Sequence, residues 1–482
     1  MNIPNQTTLL PATDKEKKLN RLFLFLLALY FIIFNTIFIH GKLPKLPLPG
    51  GADLHLSDML LGAMFVIGLS VKFRHSGSSI KTPLSKFLIL FVFVLFIVVF
   101  YSIGILHQPL TTTLATFRDF YSYMLFFPVI WVLGSNAGVK AVIKLWAWLT
   151  VFGVLLYLAQ FFIGEFSIMK NTEWLFSTSR EVSVVGGLAT SGERFTRIFS
   201  AGTVLFRIML FVAICMWLFS NDKQRWWWGA LAALIGFQVL LQFTRGMYIS
   251  TIAVLIMIPF LVNDSTARSR LYRLYAVVFA LAGMLVVYKI AIHSGDSGGL
   301  FAFAKERLLR AFGDVHEDVS LEGRFQAWDY FMVELSGYWS LGLGMGRVIV
   351  YGDNTYLSLL IKTGVMGLSA FLLFFSVTIL RGYFSFKYVT DTYMKAVYLG
   401  LWLSTLRHLV NGITQSDFAI GTRIPALIIS VALMEIILYN ARKETAIKVE
   451  GDMEDTTCVK IPATIIGERR ILAKKRSVNI IK

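Results

Sequence analysis

Apolar runs long enough to cross a bilayer recur along this chain, and they constrain its fold more than any other feature. A spanning helix needs about 20 largely apolar residues, because a 1.5 Å rise per residue must cover about 30 Å of hydrocarbon. Windows of that length predict twelve spans, at about 21–40, 56–73, 85–106, 117–134, 141–164, 201–220, 226–243, 247–262, 272–292, 357–380, 394–412 and 421–439. The first, "LFLFLLALYFIIFNTIFI", directly follows the polar "ATDKEKKLNR" and has no small-residue cleavage site, so it reads as a retained signal-anchor. The expected fold class is therefore an all-α polytopic membrane protein: a cytoplasmic segment 1–20, a helical body 21–440 with a long outer loop 293–356, and a basic cytoplasmic tail 441–482.

Charge placement orients the spans. The formal net charge is +17, a value often met in nucleic-acid-binding proteins. Here, however, Lys and Arg collect in short connections such as "KFRHSGSSIKTPLSK", "GVKAVIK", "NDKQR", "NDSTARSRLYR" and "RGYFSFKY". Positive residues in short loops stay on the cytoplasmic side, so both termini are expected inside, with no nucleic-acid partner. The longest connection, 293–356, carries nine acidic side chains against Lys305, Arg307, Arg310, Arg324 and Arg347, as suits the outer side. "QRWWWGAL" reads as an interfacial aromatic belt, and the basic tail reads as a segment resting on anionic lipid.

A second set of basic residues resists that topological account, because it falls at outer helix ends or in outer loops. It comprises Arg118, Arg180, Arg194, Arg197, Arg207, Arg245, Arg324, Arg347, Arg407 and Arg423. A guanidinium is a permanent cation whose planar donor fork matches phosphate oxygens, so several converging on one cavity would suit a diphosphate. Local pairing is the rival reading: Arg118 with Asp119, Arg194 with Glu193, Arg324 with Glu322. Arg245, in "TRGM", has no carboxylate within ten residues on either side, which favours function there. No zinc spacing, P-loop or dinucleotide fingerprint occurs, and Cys215 and Cys458 are not placed to pair; neither a metal nor a cofactor is expected.

The outer loop has organisation of its own. "LFAFAKERLLRAF" from Leu300 reads as a helix on the membrane surface, and "EGRFQAWDYFMVEL" as a helix with Arg324 and Trp328 on one face. A glycine-rich turn, "SLGLGMGR", follows, and then "YGDNTYLSLLIKTGVMG" runs into the tenth span. Asp353 with Asn354 can cap that helix or act on a hydroxyl, and Lys362, two turns deeper, needs a partner.

The order of these motifs resembles the O-antigen ligase and O-antigen polymerase superfamily. Its pattern runs Ser-Arg-Gly, Arg with a following Trp, Gly-x-Gly, His-Asn-x-Tyr-Leu, then spaced glycines; here it reads "TRG", "GR…W", "GLGMG" and "DNTYLSLLIKTGVMG" over about residues 190–380. The resemblance implies a GT-C-like membrane glycosyltransferase acting on the outer face of a bacterial inner membrane. Its implied donor is an undecaprenyl diphosphate-linked glycan and its acceptor a glycan or a lipid, with inversion at the anomeric carbon and no metal or cofactor. A chain-length regulator or other polysaccharide-assembly proteins are the implied partners besides membrane lipids. Carried over by position, Arg245, Arg194, Arg197 and Arg347 are implied diphosphate contacts, and Asp353, Asn354 and Arg324 the implied catalytic set. Asp353 stands where ligases have His, which tilts the reading toward repeat-unit polymerase, with ligase transfer to lipid A-core as the alternative. His408, in "TLRHLVNGITQSDF", and Arg118 are held in reserve. A lipid-linked oligosaccharide flippase is the rival from another class, although no internal repeat of the transporter kind is seen.

Overall fold

The computed structural model describes residues 14–34, 45–47, 53–74, 80, 82–163, 203–220, 222–240, 245–262, 265–273, 275, 319–347, 354–415, 417–419 and 423–457. Nearly all of them are helical. The chain runs through α1 (Asp14–Phe34), α2 (Leu56–Arg74), α3 (Pro83–Gly104), α4 (Leu110–Tyr121), α5 (Phe126–Val132), α6 (Asn136–Ile163), α7 (Thr203–Phe219), α8 (Asp222–Leu240), α9 (Arg245–Leu261), α10 (Val319–Glu334), α11 (Thr355–Ser385), α12 (Thr392–Asn411) and α13 (Ile424–Thr457). A two-stranded antiparallel ribbon, β1 (Lys45–Pro47) with β2 (Asp53–His55), precedes α2 and sets Leu46 opposite Leu54.

The third helix shows why these sequences become membrane helices. Thr82 caps it by accepting from the Ser85 amide at 3.3 Å, and Pro83 at the first position needs no hydrogen-bond acceptor. Leu84, Leu88, Phe91, Leu95 and Val98 then repeat at helical spacing and are buried, whereas Ile89, Phe93, Phe96 and Phe100 point outward. An outward face of that kind belongs in lipid rather than water. Five helical stretches are long and apolar enough to cross a membrane: Leu56–Arg74, Pro83–Gly104, Asn136–Ala159, Thr355–Tyr388 and Ile424–Ala446. Val204–Phe219 and Gly246–Leu261 are shorter apolar helices. The protein is thus a multi-pass membrane protein by helix length and hydropathy.

One expected span takes a different form. Over 117–134 the chain makes α4, a 3-10 turn at Ser122–Leu125, and the short α5. Pro128 explains the break, since it lacks an N–H and its ring crowds the carbonyl four residues back. There α2 comes very close: a Cβ on Gly68 would lie 2.7 Å from the Pro128 Cβ. Most of the expected span at 272–292 and the surface helix at 300–312 lie outside the described residues.

The centre of the bundle is α13, with 89% of its apolar window buried, flanked by α12 and α7. Gly400 lets α12 approach α7 closely, for a Cβ there would sit 2.5 Å from the Val212 Cα. The two helices therefore run side by side with little between them.

The eleventh helix is broken by design of its glycines. Gly364 takes φ 64° and ψ −169°, a conformation essentially restricted to glycine. Its Cβ would lie 2.3 Å from the Ser340 carbonyl oxygen. Into the break fits the glycine-rich turn: Leu343 N donates to the Ile361 carbonyl at 2.7 Å, Val365 N to Trp339 at 2.8 Å, and Met366 N to Ser340 at 3.2 Å. Interrupted helices survive in a membrane when protein satisfies the freed backbone groups. Gln108 fixes the far side of the turn, donating to the Leu343 carbonyl and accepting from Gly346 N, both at 2.6 Å.

Candidate functional site

Two turns beyond the Gly400 crossing, α12 carries Arg407 and His408; on the neighbouring α7, five residues before Val212, stands Arg207. Both helices bring these side chains to the same end of the bundle. The chain leaving α12 folds back over that end and presents Asp417 to them.

Asp417 is fully buried and gathers donors from every side. One carboxylate oxygen accepts from His408 Nδ1 and from Asn411 Nδ2, each at 2.7 Å, and the other from Arg423 Nη1 at 2.9 Å. Arg207 Nη1 and Arg407 Nη1 lie 3.8 Å and 3.9 Å from the carboxylate. Burial alone would raise the carboxyl pKa, but the His408 hydrogen bond and the guanidinium groups of Arg423 and Arg207 outweigh it and hold Asp417 well below the usual carboxylate range. It is an anion at neutral pH.

The short His408–Asp417 contact assigns the ring proton. Nδ1–H donates to the carboxylate, which leaves Nε2 as the ring's lone-pair nitrogen. Nε2 is buried and has no hydrogen-bond partner among the described residues, and the same holds for Nε and Nη2 of Arg407. Buried donors and acceptors of this kind are rare in a native interior. Arg423, with a side chain 21% exposed, is the open side of the cluster; His408 and Arg407 are fully enclosed.

Two of the sequence motifs end against this cluster. Thr355, from "DNTY", donates its amide to the Gly412 carbonyl at 2.8 Å and its hydroxyl to the Gln415 carbonyl at 2.8 Å. Tyr356 donates to the Leu409 carbonyl at 2.6 Å. From "TRG", Gly246 lies so near the same turn that its Cβ would be 2.2 Å from Thr414 Oγ1. The N-terminal ends of α9 and α11, each a partial positive pole, are thus packed on the turn that carries Asp417.

The sequence-predicted residues divide accordingly. Asn354 is itself the cap of α11, its side chain accepting from the amides of Tyr356 and Leu357 at 2.8 Å and 3.0 Å; the expected Asp353 cap with Asn354 assisting is corrected in that respect. Asp353, Arg194 and Arg197 lie outside the described residues. Arg245 opens α9 and Arg324 lies within α10, so the backbone of the first is beside the cluster through Gly246. Arg347 is half-exposed and paired with Glu334, and no contact among the described residues ties it to Asp417. Arg118 pairs with Asp58 of α2 at 3.4 Å, a partner that sequence proximity to Asp119 did not suggest. Lys362 Nζ lies 5.7 Å from the centre of the Phe120 ring. His408, held in reserve on sequence, sits at the centre.

No family model and no curated protein matches this chain. Arg207, Arg407 and Arg423 were visible as misplaced charges, but nothing in the sequence grouped them with one another or with Asp417. The available signal was depth: an arginine inside an apolar helix marks a functional site by default, and Asp417 is the single carboxylate in the turn 412–423.

Proposed function

We propose that this chain is an inverting membrane glycosyltransferase that joins undecaprenyl diphosphate-linked oligosaccharide units in surface polysaccharide assembly. The observation that carries the reading is the buried Arg407–His408–Asp417 group, with Arg207 and Arg423, beside the turn on which Gly246 of "TRG" and Thr355 of "DNTY" both pack. In this reading the body is GT-C-like, with twelve spans and both termini cytoplasmic. The cluster then faces the outside of a bacterial inner membrane.

The chemistry follows from the two kinds of unpartnered atom. Arg423, at the open side, meets the diphosphate oxygens of the donor, and the enclosed Arg407 behind it, with Nε and Nη2 unpartnered among the described residues, adds positive charge. His408 Nε2 accepts the proton of an acceptor hydroxyl, whose oxygen attacks the anomeric carbon from the face opposite the diphosphate. The new C–O bond forms as the old one breaks, and the electron pair leaves on the lipid diphosphate. Negative charge grows on that leaving group, so fixed guanidinium groups stabilise the transition state more than the ground state. Asp417 keeps the imidazole in the required tautomer and supports the imidazolium that forms.

Repeat-unit polymerisation is favoured over ligation to lipid A-core because Asp353 replaces the ligase histidine. In a strain lacking the gene, Arg407→Gln and His408→Gln should each abolish long-chain polymer, compared at equal amounts of membrane-inserted protein, as should Arg245→Ala and Arg324→Ala. Unaltered chain-length ladders in Arg407→Gln and His408→Gln would sink the assignment. The gel of the deletion strain also separates the alternatives: loss of a polymerase leaves single repeats on the final acceptor, whereas loss of a ligase leaves polymer on the lipid carrier.

A further inference from the structure

The opposite end of α7 holds a second cationic site that the proposed transferase chemistry does not use. Trp217 lies ten residues along α7 from Arg207, about 15 Å at the helical rise. It lines a cavity of about 620 Å³ together with Arg225 of α8 and Ser265, Ser269, Arg270 and Arg273 of the helical segment 265–273. Positions 265, 269 and 273 follow one another at i,i+4, and Arg270 adjoins them, so one face of that segment is hydroxyl and guanidinium throughout. No carboxylate lines the cavity among the described residues.

Arg270 is held in place by the end of α7, donating to the Leu218 carbonyl at 2.8 Å and to the Ser220 carbonyl at 3.3 Å. That contact uses one of its nitrogens, Nη1, and anchors the fork at a negative helix pole. Positive-inside topology accounts for basic residues at this end of the bundle. It does not account for three guanidinium groups and two serine hydroxyls lining one concave space.

We propose that this cavity binds a phosphate group of an anionic ligand, supplied by a lipid headgroup or by free phosphate. Guanidinium forks and hydroxyl donors are the groups that recognise phosphate oxygens, and Trp217 is the apolar residue of the lining, suited to an acyl chain. A cavity of this volume accommodates a glycerophosphate headgroup.

The test titrates the full-length protein in a neutral detergent with inorganic phosphate and, separately, with dioctanoyl phosphatidic acid, using dioctanoyl phosphatidylcholine as the zwitterionic control. Binding is read as the fluorescence change that disappears in Trp217→Phe. Response to the phosphatidic acid alone assigns the site to lipid headgroups; response to both ligands assigns it to phosphate generally. In either case Arg273→Gln and Arg225→Gln should each weaken binding about tenfold or more, because a charge-assisted bond is lost. Arg273 is exposed and its replacement leaves the Arg270 anchor intact, so misfolding does not obscure the result. No Trp217-dependent signal with either ligand, equal binding of the phosphatidylcholine, or binding unchanged in both arginine variants would overturn the proposal. Polymer formation plays no part in this readout, so failure here and failure of the transferase reading are distinguishable.

Discussion

Replacing Asp417 by Asn tests the cluster most directly, since it keeps the shape and removes one charge. The carboxylate faces guanidinium nitrogens at 2.9, 3.8 and 3.9 Å. At an effective dielectric of about 20, each such pair contributes about 4 kcal/mol before desolvation is subtracted. The amide also turns one acceptor into a donor, so it must oppose either Arg423 or the His408 and Asn411 pair. Removing one partner of a buried ionic group nets a loss of about 3–5 kcal/mol. We expect a lower unfolding midpoint in detergent at a fixed scan rate. The double variant Asp417→Asn/Arg407→Gln should be less destabilised than the two single changes added together, by about 0.5–3 kcal/mol, because each single change leaves an uncompensated charge. A midpoint within 1 °C (about 1 kcal/mol for a chain of this size) of the unmodified protein, in correctly inserted Asp417→Asn, would refute the argument. The same carboxylate sets a pH limit. Its folded-state pKa is depressed below the ordinary 3.8, so its contribution is fully present above that value and is lost only as pH falls through the folded pKa. Stability should therefore show no Asp417-dependent loss between neutral pH and about pH 5, as a pH series of midpoints for the two proteins will show.

Other predictions rest on separate contacts. Gly364→Ala forces a side chain into a glycine-only backbone conformation and against the Ser340 carbonyl, and should cost about 2 kcal/mol or more; limited proteolysis of the 339–347 turn would report the released segment. Gly246→Ala should destabilise by about 1–3 kcal/mol through overpacking, with recovery in Gly246→Ala/Thr414→Ala, measured as unfolding midpoints. Glu435→Gln leaves Arg381 without the fork that now holds it at 2.9 and 3.2 Å, a loss of about 3–5 kcal/mol that should appear as a lower midpoint with polymer length unchanged in surviving protein. Arg347→Ala, at an exposed pair, should shift stability, read from the unfolding midpoint, by less than about 1 kcal/mol.

The membrane class of the chain was legible without coordinates, because burial in lipid imposes length and apolarity on each span directly. A cap at the start of α11 is a local effect and was legible in the same way, although the residue that supplies it is Asn354 rather than Asp353. Gly246 of "TRG" and Thr355 of "DNTY" both pack on the turn that follows α12.

Tertiary packing alone decided which charges meet. Gly400 against Val212 sets α12 beside α7, and that crossing, together with the turn after Asn411, brings Arg207, Arg407, His408, Asp417 and Arg423 into one group across more than two hundred residues of chain. Packing likewise decided that Arg118 pairs with Asp58, that Arg347 pairs with Glu334, and that the glycine-rich turn fills the break in α11 rather than lying free as a loop. Hydrophobic period and capping act within a few residues, so they are written in the sequence where they operate. Electrostatic partnership depends on distances of a few ångströms between remote segments, and only the packed helices set those.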